Sequence, residues 1–179
     1  FGDDIHRRYT DPLIEDDLRA FLAAQYKNKE LTASEMDGIV ANLRNTSGQN
    51  DYYALQNTFL LYRDGYDFTY SDGRDNPFRL QYIDFEHPDH NIFRCVNQFV
   101  MEQGRENRRP DILLFVNGIP VCIIELKNPT KQNATIRDAH TQICTRYMRD
   151  IPALLKYCAL AVISDGAKNE LGTTYTPFE

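Results

Sequence analysis

The sequence predicts an α/β protein: a mixed β-sheet flanked by helices and preceded by a helical N-terminal segment. Three observations carry this. Apolar residues recur at helical spacing through the first third, and the period shortens to that of strands from Tyr66. A last apolar, β-branched run, "YCALAVISDG", follows a further helical stretch.

In chain order, "LIEDDLRAFLAAQY" places Leu13, Leu18, Phe21, Leu22 and Tyr26 near one helical stripe. "TASEMDGIVANLRN" opens with Thr32 and has Glu35 three residues on, the pattern of a capping box. "YYALQNTFLLYRDG" predicts a third helix stopped at Gly65. "YDFTYSDGRDNPFRLQYIDF" then reads as two short strands around a polar turn, and "NIFRCVNQFVME" as another strand. An apolar hairpin spans 109 to 130, "NPTKQNAT" is a loop, 135–149 turns helical, and 157–166 is a buried strand ended by Asp-Gly. Residues 1–65 are thus mainly helical and 66–179 form the sheet-bearing core, all in one domain.

Composition narrows the function classes. With 42% apolar and 12% aromatic residues the chain can build a core, which argues against disorder. No apolar stretch is long enough to span a membrane. The net charge of −6 argues against tight independent binding to nucleic acid, whose phosphates demand cations. It leaves room for a catalytic domain whose DNA is delivered by a larger machine. Phe1 at the start and "TPFE" at the end read as cut edges of a longer protein. Cys95, Cys122, Cys144 and Cys158 form no CxxC pair and read as reduced thiols of a cytoplasmic protein. His87 and His90, in "HPDH", read as solvated loop histidines, and Asp84 as a strand end.

The hairpin "RPDILLFVNGIPVCIIELKNPT" carries the chemistry. Alternation puts Ile119, Val121, Ile123, Glu125 and Lys127 on one face, so two charges project from the end of an apolar strand. A two-residue Asn117-Gly118 turn would set Asp111 opposite Ile124, with Glu125 on the other face. A three-residue loop from Val116 to a left-handed Gly118 pairs Phe115 with Ile119. Asp111 then faces Ile123 and has Glu125 as its same-face diagonal neighbour, roughly 7–8 Å away between Cα atoms. We expect that loop, or an equivalent bulge, because Gly118 suits the left-handed position, and it brings two carboxylates within reach of one hard cation. Such oxygen donors suit Mg²⁺, with Mn²⁺ as substitute. The Leu126 carbonyl is presented at the strand edge as a further ligand. Lys127 can orient or deprotonate the attacking water or stabilise charge on the phosphoryl transition state.

"RRPDILLFVNGIPVCIIELKNPT", "VNQFVME", "YIDFEHPDHNIF" and "VISDGAKNELGT" together resemble the N-terminal nuclease domain of the restriction (R) subunit of type I restriction-modification enzymes, within the PD-(D/E)xK superfamily. The resemblance covers nearly the whole chain. It implies a restriction-endonuclease-like sheet, Mg²⁺-dependent cleavage of double-stranded DNA, Asp111 and Glu125 as metal ligands, and Lys127 as the catalytic lysine. It places a further family acid near Glu15, which reads equally as a solvated helix-start carboxylate. Gln142 is implied at the site, but the tyrosine expected four residues on is Arg146 here, with Tyr147 at five. Either the helix carries a π-type extra residue or Arg146 replaces the tyrosine as a phosphate contact. Arg105, Arg108 and Arg109 read as DNA-backbone contacts or as a solvated turn. The resemblance further implies an ATP-driven translocase in the remainder of the subunit, with modification and specificity subunits as partners. No Walker pattern occurs in these residues, so ATP is not assigned to them. Two rival readings stand: a non-catalytic docking module on the same fold, and a nuclease of recombination or tRNA processing.

Overall fold

The computed structural model describes residues 5–74, 76–128 and 135–178. Helix α1 (Glu15–Gln25) buries Leu18, Phe21 and Leu22, and each such side chain contributes about 1.5–3 kcal/mol of transfer free energy. Helix α2 (Ala33–Asn45) begins with the expected capping box: the Glu35 N–H donates to Thr32 Oγ1 at 3.2 Å, and the Thr32 N–H to Glu35 Oε2 at 2.9 Å. Helix α3 (Asp51–Asp64) ends at Gly65, whose N–H donates to the Leu61 carbonyl at 2.8 Å.

Strands β1 (Tyr66–Phe68) and β2 (Phe78–Leu80) pair antiparallel as a separate ribbon. The segment expected as one strand, "NIFRCVNQFVME", is two. β3 (Phe93–Asn97) ends because Gln98 takes a left-handed φ of 56°. The chain then makes a small hairpin from β4 (Met101–Gln103) and β5 (Glu106–Arg108). β6 (Ile112–Val116) and β7 (Ile119–Leu126) form the central hairpin. A helical crossover follows: α4 (Ile136–Thr141), a π-helical turn over Gln142–Tyr147, α5 (Met148–Asp150) and α6 (Pro152–Leu155). It leads to β8 (Leu160–Ser164) and β9 (Asn169–Gly172). Most of the expected "NPTKQNAT" loop lies outside the described residues.

The main sheet has the order β3-β6-β7-β8-β9, antiparallel except for β7 and β8. Helices cover both faces. Leu113, Phe115 and Ile123 pack with the crossover residues Ala139, Ile143, Tyr147 and Leu154. Ile119, with the half-buried Val116 and Val121, packs with the N-terminal helices through Leu18, Leu22 and Ile39. The expected α/β class, with a mixed sheet between helices and a helical N-terminal segment, is the observed one.

The hairpin register corrects one expectation and shows how its consequence is reached by another route. The turn has two residues: Val116 pairs with Ile119, and Asn117 (φ 51°) and Gly118 (φ 74°) are both left-handed, which suits an Asn-Gly hairpin. The register then slips. Phe115 pairs with Pro120 but Leu114 with Cys122, so Val121 is an extra, bulged residue. Continuing from Ile112 opposite Ile124, Asp111 comes level with Glu125 itself rather than with Ile123 or Ile124. The bulge also breaks the expected single face: Ile119 and Val121 lie on the N-terminal-helix side, Ile123 on the crossover side.

Candidate functional site

The outer end of the central hairpin gathers six of the residues singled out by sequence. Glu125 is 2% exposed, because β7 is an interior strand roofed by the crossover. Its Oε1 accepts from Lys127 Nζ at 3.4 Å and from Gln142 Nε2, and its Oε2 accepts from the Tyr147 hydroxyl at 3.3 Å. The Gln142 amide joins the group. Its Oε1 accepts from Lys127 Nζ at 2.6 Å while its Nε2 also donates to the Tyr147 oxygen at 2.6 Å. Gln142 thereby holds the carboxylate and the ammonium in a set relation.

The π turn explains how Tyr147 reaches this network. On an α-helix the residue at +5 faces well away from the starting residue, whereas a π turn closes i to i+5. Of the two alternatives for this helix, the structure shows the inserted residue. Tyr147 faces inward beside Gln142, and Arg146 is exposed.

Asp111 completes the cluster from β6. Its Oδ2 accepts the Leu126 N–H at 2.8 Å and its Oδ1 accepts Gln98 Nε2 at 3.3 Å, while the Gln98 N–H donates to the Asp111 carbonyl at 2.9 Å. Leu126 thus meets Asp111 through its N–H; its side chain is exposed. Gln98 was missed among the site residues. It stands inside the quoted "VNQFVME", but nothing in a glutamine signals the left-handed backbone that turns it toward Asp111. A cleft of about 430 Å³ opens here, lined by Asn97, Gln98, Asp111, Leu126 and Lys127.

Burial and then the neighbouring Asp111 charge push the Glu125 carboxyl up to about 7, against the smaller opposing pull of Lys127. A raised carboxyl pKa means that the folded chain holds a proton which the unfolded chain has released. Metal-free stability should therefore fall as pH rises from about 4.5 to about 7, by roughly 3 kcal/mol at most, and level off above. Urea midpoints across this range, for the parent and Glu125→Gln, check this. The decline should be present only in the parent; parallel curves would remove Glu125 as its source.

Other expected residues lie elsewhere. The Ile14 N–H donates to the Gly118 carbonyl at 2.9 Å, so the start of α1 sits on the hairpin turn, at the opposite end from Asp111. Glu15 is therefore not brought to the cluster; it pairs with Arg19 at 2.6 Å and with Arg44. Arg108 is already engaged. The buried Asp150 needs a counter-charge, and Arg108 supplies it at 2.6 Å while also pairing with Glu106 at 2.7 Å. Arg109 and Arg105 are exposed.

Comparison with known proteins adds the family. A family model described as the N terminus of the type I restriction enzyme R protein matches residues 2–179. The chain belongs to this family. It is 31% identical over 159 residues to the type I restriction enzyme HindI endonuclease subunit of Haemophilus influenzae, covering 88% of this chain and 15% of that protein. It is 35% identical over 105 residues to the type I restriction enzyme EcoprrI endonuclease subunit of Escherichia coli, covering 56% of this chain and 31% of that one. A Methanocaldococcus jannaschii protein carrying the name MjaIXP endonuclease subunit is 43% identical over 97 residues, 52% of this chain and 9% of its own length. This R-protein N-terminal chain thus spans a small part of the relatives it matches. Among its described residues no helix is long and apolar enough to cross a membrane.

Proposed function

We propose that this chain is the nuclease module of a type I restriction enzyme R subunit, a PD-(D/E)xK domain that hydrolyses phosphodiester bonds of double-stranded DNA with Mg²⁺. The convergence of Asp111, Glu125, Lys127 and Gln142 at one end of the hairpin carries this reading. The donor set suits the cation. Two carboxylates level on adjacent strands repel, as the raised Glu125 carboxyl reflects, and a hard divalent ion between them relieves both the repulsion and the burial cost. Asp111 and Glu125 would hold the ion, which when bound polarises the phosphate and lowers the pKa of water.

The chain's own residues do the rest. Lys127 keeps its ammonium next to Glu125, where it can take or give a proton at the attacking water or offset charge on the phosphate. Gln142 and Tyr147 act as positioning residues, because a network of four hydrogen-bonded side chains resists rotation of any one. Gln98 and the Leu126 N–H fix both Asp111 oxygens. Arg109 and the exposed Arg146 supply phosphate contacts at the rim. With a net charge of −6, engagement of DNA depends on the remaining R subunit, an ATP-driven translocase, and on its modification and specificity partners in the cytoplasm.

Calorimetric titration with Mg²⁺ tests the assignment. Parent and Lys127→Ala chains should bind the ion, and Glu125→Ala should not, with circular dichroism confirming that all three are folded. Undiminished binding by a folded Glu125→Ala chain would overturn the proposed metal site.

A further inference from the structure

A second group of metal-ligating side chains lies outside this cluster. Asp84, His87 and His90 present one carboxylate oxygen and two imidazole nitrogens, all within 4.8 Å of one another. The local fold explains why they meet. Pro88–His90 is a single 3₁₀ turn, in which residues three apart eclipse, so His87 and His90 leave the chain in the same direction. Their rings stack with centroids 5.0 Å apart and planes 19° apart. Asp84 is 5% exposed and is no strand end; it lies in the irregular segment between β2 and β3.

The carboxylate is held for one purpose on each oxygen. Oδ1 accepts the N–H groups of Glu86 at 3.0 Å and His87 at 2.8 Å. Oδ2 faces the rings: His90 Nδ1 is at 3.0 Å and His87 Nδ1 at 3.7 Å, with Gln25 Nε2 at 3.2 Å behind it. Asn91 locks the segment by accepting the Asp84 N–H at 2.9 Å and donating to the Asp84 carbonyl at 2.7 Å. It is tied to Asn117 in turn at 2.8 Å.

Ligand atoms about 2.0–2.1 Å from a tetrahedral Zn²⁺ lie about 3.3 Å from each other. The two Asp84–imidazole separations bracket that value. One carboxylate and two neutral imidazoles are the donors that borderline transition ions prefer, and Mg²⁺ does not.

We propose that Asp84, His87 and His90 form a binding site for a divalent transition metal, with Zn²⁺ the best-matched ion and water in the fourth position. Through Asn91 and Asn117 the site adjoins the hairpin turn, at the other end of the sheet from Asp111 and Glu125. Its ion therefore takes no part in phosphodiester hydrolysis. It clips the 84–91 segment, and by mass action it stabilises the folded chain.

The test is Zn²⁺ titration of the metal-free 179-residue chain in excess Mg²⁺, followed calorimetrically, with Co²⁺ as a spectroscopic substitute. The expected result is one Zn²⁺ per chain and the intense visible absorption of tetrahedral Co²⁺. His87→Ala and His90→Ala, at exposed positions that leave the fold intact, should each weaken binding at least tenfold. Glu125→Ala and Cys95→Ser should leave it unchanged. Absence of Zn²⁺ uptake, or uptake that survives either histidine substitution, overturns the site.

Discussion

Replacing Lys127 by alanine should lower double-strand cleavage by about 10²–10⁴-fold, the usual contribution of a positioned acid–base group. The ammonium stands 3.4 Å from Glu125 and 2.6 Å from the Gln142 amide oxygen, at the mouth of the cleft beside Asp111. Its side chain is only partly exposed, so its loss leaves a small polar gap and not a large cavity. The effect should fall on the chemical step. In the full R subunit, cleavage of plasmid DNA should disappear while the ATP hydrolysis proposed for the remainder of the subunit continues. Lys127→Arg should not restore cleavage, because a planar guanidinium cannot follow the same hydrogen bonds and does not give up its proton near neutral pH. Cleavage within twofold of the parent in Lys127→Ala would remove the lysine from the mechanism.

The largest expected effect on stability is at the other end of the same hairpin. Gly118 has φ +74°, and a Cβ built there meets the Ile14 carbonyl oxygen at 2.1 Å and the Ile14 carbonyl carbon at 3.0 Å. Those are backbone atoms, fixed by the hydrogen bond from the Ile14 N–H to the Gly118 carbonyl. Gly118→Ala thus combines left-handed strain of about 1–2 kcal/mol with separation of α1 from the sheet, and it should cost about 3–5 kcal/mol in all. Gly104, with φ +62° and nothing within 4 Å of a built Cβ, is the control. Gly104→Ala should cost only the left-handed strain, about 1–2 kcal/mol. Equal urea midpoints for the two alanine variants would show that the Ile14 contact is not what requires glycine.

The elements that could be read from the sequence are those whose signals are local. The Thr32–Glu35 box and Gly65 after α3 each satisfy or shape a backbone group within a few residues, and both appear as expected. The hairpin register was only half legible. The two carboxylates do share one end of it, but a bulge at Val121 brings them level, and a valine in an apolar run carries no mark of being the extra residue. Likewise, the Gln142-to-Tyr147 spacing posed the question of a π turn, and only the packed helix answered it.

Sequence alone therefore determined the α/β class, the helical N-terminal segment, and the identity of Asp111, Glu125 and Lys127 as the residues to watch. Those depend on periodicity, capping and a compact motif, whereas Gln142 is implied only by the family resemblance. Tertiary structure decided what depends on contacts between distant segments. Glu15 is drawn away by Arg44, 29 residues on, and Arg108 is taken up by Asp150, 42 residues on. Gln98 is turned onto Asp111 by a left-handed backbone. Asp84 reads in the sequence as a strand end and His87 and His90 as solvated loop histidines, and only a 3₁₀ turn and a buried carboxylate set them face to face. In each case the partner that gives a charge its role is chosen by packing, because a buried charge takes the nearest counter-charge or hydrogen-bond donor that the fold supplies.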